Sequence, residues 1–116
     1  PIQYALTYPD RSPCPGPLLD LTRPSALHFE PPDRETFPAL DLACEVMKRG
    51  GTAGAALNAA NEGAVGRFLG SEIGFLDIPR ACRAVLDHHE FDPRPTLDQL
   101  WKIDAWARLE VQRWKP

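Results

Sequence analysis

Thr52 to Ile73 reads TAGAALNAANEGAVGRFLGSEI, and its pattern predicts one long helix. At 100° per residue, Leu57, Ala60, Asn61, Ala64, Val65 and Phe68 fall on one stripe. The stripe is rich in small residues, so a neighbouring helix can approach closely. Asn61 sits inside it, between Leu57 and Val65. This placement predicts a buried amide whose unpaired partners would cost about 1–3 kcal/mol in Asn61→Ala. Asn58 and Glu62 lie one turn apart on the stripe's edge, and Asn58→Ala is expected to cost less. Gly54, Gly63 and Gly66 each weaken the helix by up to ~1 kcal/mol relative to alanine, so tertiary packing must hold it.

Working outward, three more helices flank this one. The first is predicted over Phe37–Arg49, with Thr36 as N-cap and Pro38 in the first turn. Its apolar stripe is Phe37, Leu40, Cys44 and Met47. Lys48 and Arg49 suit the negative helix end, and Gly50-Gly51 stop it. The next begins at Asp77 as N-cap, carries Pro79 in its first turn and turns Ile78, Cys82, Val85 and Leu86 inward. It ends near His88-His89, where imidazoles suit the carbonyl end. The last starts at Thr96, because Thr96-x-x-Gln99 is a capping box. Leu97, Leu100, Trp101, Ala107, Val111 and Trp114 form its broad apolar face. Asp104 and Arg108, four apart, read as a structural ion pair. Trp106 and Leu109 point away, leaving apolar surface for the arm or a larger protein.

The N-terminal third reads differently. PIQYALTY, residues 1–8, is predicted to be a strand, which must find a partner for its backbone groups. PDRSPCPGP, residues 9–17, is an exposed connector, as ordinary linkers of this composition are. Leu18 to Glu30 is expected to form two short extended segments, with His28 facing away from Leu27 and Phe29 and towards solvent.

At 116 residues with 43% hydrophobic content the chain has room for one domain with a modest core. A net charge of −3 with interspersed signs gives no case for nucleic acid or an anionic membrane. No apolar run approaches the ~20 residues of a membrane span. Cys14, Cys44 and Cys82 have no CxxC spacing and read as reduced cytosolic thiols. The chain begins with Pro rather than Met, so a fragment or processed chain is expected.

The residues also carry a family pattern. LNAANE (57–62), Phe68-Leu69, Ile73-Gly74-Phe75 and Asp77-Ile78 occur in order with Pro1-Ile2, Tyr8-Pro9, Leu19-Asp20-Leu21, Ser25-Ala26-Leu27-x-Phe29, Phe37-Pro38 and Asp104-Ala105-x-Ala107-Arg108. Together they resemble the C-terminal part of the 1-deoxy-D-xylulose 5-phosphate reductoisomerase family, over nearly the whole chain. The resemblance implies an NADPH-dependent enzyme of the non-mevalonate isoprenoid pathway. It would isomerise 1-deoxy-D-xylulose 5-phosphate and reduce the product to 2-C-methyl-D-erythritol 4-phosphate, with magnesium or manganese chelating the substrate. It further implies a cytoplasmic homodimer and a structural role for this region, bracing a catalytic domain. The expected fold is then mainly α: residues 1–36 form an extended, partly β arm ending the catalytic domain, and 37–116 a helical bundle.

No catalytic, cofactor-binding or metal-binding residue is assigned. The glycines form no phosphate-cradling fingerprint. Asn58, Asn61 and Glu62 supply one carboxylate, too few for magnesium or calcium. Adjacent His88 and His89 cannot share a helix face, so a cap or solvated role is expected. Cys44 reads as a small core hydrophobe. A reading of another class, a stand-alone helical interaction module without catalysis, is distinguished from the enzyme by the sequence upstream of Pro1.

Overall fold

The structure, a computed structural model, describes residues 2–14 and 16–116. The chain separates into two compact units, Pro1–Pro31 and Pro32–Pro116.

In the first unit, α1 spans Ile2–Thr7, where a strand was expected. A strand needs a partner, and no described residue of this chain is in a strand. A helical turn satisfies backbone groups locally, and Gln3, Ala5 and Leu6 are good helix formers. Gln3 Nε2 fastens the following connector by donating to the carbonyls of Ser12 (3.2 Å) and Pro13 (2.7 Å). Thr7 Oγ1 donates to the Asp10 carbonyl at 2.8 Å. Leu18 to Glu30 has no regular structure beyond a turn, in which Asp20 accepts from the Thr22 N–H and hydroxyl. Those two bonds hold the Asp20 carboxyl below its usual range. Ile2, Leu6, Leu18, Leu19, Leu21, Leu27 and Phe29 are all exposed.

The second unit is a bundle of α2 (Ala39–Arg49), α3 (Ala53–Leu69), α4 (Asp77–His88) and α5 (Leu97–Arg113). Helix α3 is central, packed against α4 and α5 and less extensively against α2. Its buried face consists of Ala53, Ala56, Ala59, Ala60 and Ala64. Against it lie Leu42 and Val46 of α2, five residues of α4, and Ala107 and Val111 of α5. At 100° per residue this face is rotated by roughly 80° from the predicted stripe. Leu57, Val65 and Phe68 flank it half-buried. Asn61 is exposed, so the expected buried amide, and the stability cost assigned to its loss, are overturned. The reason is that α3 is apolar almost all round, and the partners select the face on which side chains are smallest. Gly63 belongs to the same close approach, since a Cβ there would stand 3.3 Å from Val111 Cγ1.

Other faces shift similarly. On α2 the buried residues are Leu42 and Val46, while Phe37, Leu40 and Met47 of the expected stripe are exposed and Cys44 is half-buried. On α5, Trp106 packs against the core, whereas Leu97 and Trp101 stay out. The α4 face is as expected: Ile78, Cys82, Val85 and Leu86 are buried, with Ala81 between them. Burial pushes the Cys82 thiol up to about 11.

Helix ends follow local chemistry. Thr96 and Gln99 form the expected capping box. Thr36 does not cap α2; its N–H is held by Asp33 Oδ1 at 2.9 Å. Asp77 is the first residue of α4 rather than its cap, and its carboxylate accepts the Gly74 N–H at 2.9 Å. Helix α3 stops at Leu69, short of the predicted Ile73. Glu72 N–H reaches the Arg67 carbonyl and Ser71 N–H the Phe68 carbonyl, both at 2.9 Å. Ser71 takes φ 59°, the left-handed position of this terminating motif.

Because α3 and its neighbours meet through alanines, enlargement should be punished. Ala64→Leu is expected to cost about 1–3 kcal/mol through overpacking, read as a lower urea midpoint with little change in slope.

Candidate functional site

Three polar assemblies fix the bundle. The first joins the α2–α3 turn to the loop after α4. Thr52 is buried, and its backbone N–H donates to the Asp92 carbonyl at 2.9 Å. Its hydroxyl meets His89 Nε2 at 2.8 Å and accepts the Asp92 N–H at 3.0 Å. Thr52 stands at the N-cap position of α3, but its side chain makes no cap bond and serves this crosslink instead. Gly51, at φ 53°, permits the approach, since a Cβ there would come within 2.2 Å of the Asp92 carbonyl oxygen.

His89 is the buried end of the histidine pair, packed near Phe91 and Trp106, while His88 is exposed. Its Nδ1 has no hydrogen-bond partner. Burial, and secondarily the positive charge of Arg49, lower its pKa; the nearby Leu86 carbonyl offsets this slightly without bonding geometry to Nδ1.

The second assembly crosses from α3 to α5. Asn58 Nδ2 donates to Glu62 Oε1 at 3.2 Å, and Arg108 donates to Glu62 at 2.7 Å and to Asp104 at 2.9 Å. The expected Asp104–Arg108 pair is therefore present and extends to Glu62. Arg108 first, and then Asn58, holds the Glu62 carboxyl below its ordinary value. In the third assembly, Arg67 reaches the carbonyls of Val111 (2.7 Å) and Trp114 (2.8 Å) at the end of α5, and pairs with Glu72. A cation there suits the negative end of α5, where the Val111 carbonyl also accepts the Trp114 N–H at 3.3 Å.

A cleft of about 530 Å³ beside the first assembly is lined by Thr52, Glu90, Phe91, Asp92, Gln99 and Lys102 among others, but the Thr52 hydroxyl is already engaged. The one carboxylate of α3, Glu62, is paired with Arg108 and accepts from Asn58. Among the described residues no group of three or more His, Cys, Asp and Glu side chains could hold a metal ion. His28 is exposed. The three cysteines are free, with Cys14 exposed, Cys44 half-buried and Cys82 buried. No helix among the described residues is long and apolar enough to cross a membrane. Sequence reasoning missed the Thr52–His89–Asp92 crosslink and the Arg67 anchor. The only available signals were a histidine at a helix end and the one basic residue of the central helix.

The fold and its polar ties define an α-helical domain held by small-residue packing. Residues 1–110 match the family described as the DXP reductoisomerase C-terminal domain, and the chain belongs to that family. It is 54% identical over 112 residues to a 1-deoxy-D-xylulose 5-phosphate reductoisomerase of Rhodopirellula baltica, covering 97% of this chain and 25% of that protein. It is 49% identical to one from Acetivibrio thermocellus, over 97% of this chain and 29% of that protein. It is also similar to the solved 1-deoxy-D-xylulose 5-phosphate reductoisomerase from Zymomonas mobilis in complex with NADPH, with a TM-score of 0.82 and 42% identity. That match covers 97% of this chain and 30% of the solved one. The chain thus spans between a quarter and a third of the length of these relatives.

Two outcomes check the first assembly. Thr52→Val should cost about 1–3 kcal/mol by stranding the Asp92 N–H and the His89 ring, seen in urea titrations at pH 7.5. An unfolded histidine titrates near 6.5, and folded His89 titrates lower. Its contribution to stability is therefore whole above about pH 6.5 and falls as pH drops through that value, where only the unfolded chain takes up the proton. Urea midpoints between pH 7.5 and 5 should fall less steeply in His89→Gln.

Proposed function

We propose that this chain is the C-terminal portion of an NADPH-dependent reductoisomerase. That enzyme converts 1-deoxy-D-xylulose 5-phosphate to 2-C-methyl-D-erythritol 4-phosphate, in isoprenoid precursor biosynthesis by the non-mevalonate pathway. The observation that carries the reading is near-complete coverage of this chain, at about half identity, by relatives named for that activity. Within the enzyme the chain is a brace. Residues 37–116 form the helical bundle, and residues 1–36 close the catalytic domain and link it to the bundle. NADPH and the magnesium or manganese ion belong to other parts of the enzyme, and no catalytic, cofactor-binding or metal-binding residue is assigned here.

The apolar side chains of the first unit support this division of labour. Leu18, Leu19, Leu21, Leu27 and Phe29 are exposed, and the extended stretch that carries them suits pairing with the catalytic domain. The assembled enzyme is a cytoplasmic homodimer in this reading.

The test is a chimera in which this chain replaces the matching region of the Rhodopirellula baltica relative. The chimera should oxidise NADPH when given 1-deoxy-D-xylulose 5-phosphate and magnesium, while the isolated chain should not. A folded but inactive chimera, or turnover by the isolated chain, would overturn the proposal.

A further inference from the structure

The exposed Asn61 raises a question that the bundle itself does not answer. Alanine at this position would favour the helix, and no described residue is hydrogen-bonded to the amide. Asn61 lies instead on the wall of a cavity of about 210 Å³ between the start of α2, the face of α3 and the start of α4. The remaining wall is almost wholly apolar and includes Phe37, Val65, Phe75, Leu76 and Ile78. Phe37, Phe75 and Leu76 are each about half exposed, at 51, 57 and 50%. Such a pocket holds one aliphatic or aromatic side chain. An amide at its edge offers one acceptor and two donors, the complement of a peptide unit.

The chain spans only 25–30% of its relatives, so most of the enzyme lies outside this structure. Resting on the reading above, we infer that this pocket is the socket by which the bundle receives the catalytic portion of the same polypeptide. One apolar side chain of that portion fills the cavity, and the Asn61 amide pairs with its backbone. Apolar anchors seated in pockets dominate contacts of this kind, and surrounding polar groups set orientation. Leu97 and Trp101 on α5, also exposed, have no part in this contact.

Hydroxyl-radical footprinting of the chimera against the isolated chain tests the inference without reference to turnover. Phe75 and Leu76 should be labelled at least fivefold less in the chimera, while Trp101 is labelled equally in both. Asn61→Ala should restore labelling of Phe75 in the chimera without lowering the urea midpoint of the isolated chain. Equal labelling of Phe75 and Leu76 in the two proteins would overturn the socket. So would protection in the isolated chain that grows with its concentration, because the occupant would then be a second copy. Unchanged protection in the Asn61→Ala chimera would remove the amide from the contact. Hydride transfer by the same chimera reports separately on the proposed function, so failure of one reading is distinguishable from failure of the other.

Discussion

Helix α3 presents alanine to every helix around it, and that choice sets the geometry of the bundle. Ala53, Ala56, Ala59, Ala60 and Ala64 are all completely buried. With no side-chain length between backbones, α5 can set Val111 against Gly63, and α4 can bring Ala81 and Cys82 into the same seam. An alanine face buries little apolar area per residue. Its contribution comes from dispersion between closely packed atoms, with almost no side-chain entropy lost. The bulkier Leu57, Val65 and Phe68 are left on the flanks, where they close the edges of the seam.

Close packing of helices leaves their ends to be tied separately, and polar side chains do this. Arg67 of α3 collects the terminal carbonyls of α5, and Thr52 before α3 binds the loop that follows α4. Each tie lies near one end of the central helix and reaches a segment distant in sequence. Hydrogen bonds are directional, so these two ties add orientation to a seam that packing alone would leave free to slide. The Glu62–Arg108 bridge is more exposed and screened by solvent, and belongs to register more than to stability.

Much of this was legible in the sequence where a signal was local. The Thr96–Gln99 capping box, the Gly50-Gly51 stop and the inward face of α4 all depend on residues within a turn or two of one another. The Asp104–Arg108 pair is visible for the same reason, but its extension to Glu62, 46 residues away, is not. The buried face of α3 was unreadable because periodicity needs contrast, and AGAALNAANEGAVG has little. Large side chains drew the predicted stripe towards Leu57 and Val65, whereas the partners required small ones. PIQYALTY is apolar with aromatic and β-branched members, as strands often are, yet a strand exists only beside another. As to the candidate site, the Thr52–His89–Asp92 crosslink could not be read, since it joins two segments 37 to 40 residues apart without a shared motif.

The burial of Cys82 has a practical side. A thiol only 2% exposed and held at about 11 is neither accessible nor ionised at neutral pH, whereas a thiolate is what alkylating reagents attack. Cys14, on the surface, reacts without any opening of the protein. One molecule therefore carries a reagent-accessible reference and a protected reporter at the α3–α4 seam. The ratio of their alkylation rates turns the seam into a gauge of its own breathing, expressed as the free energy of local opening.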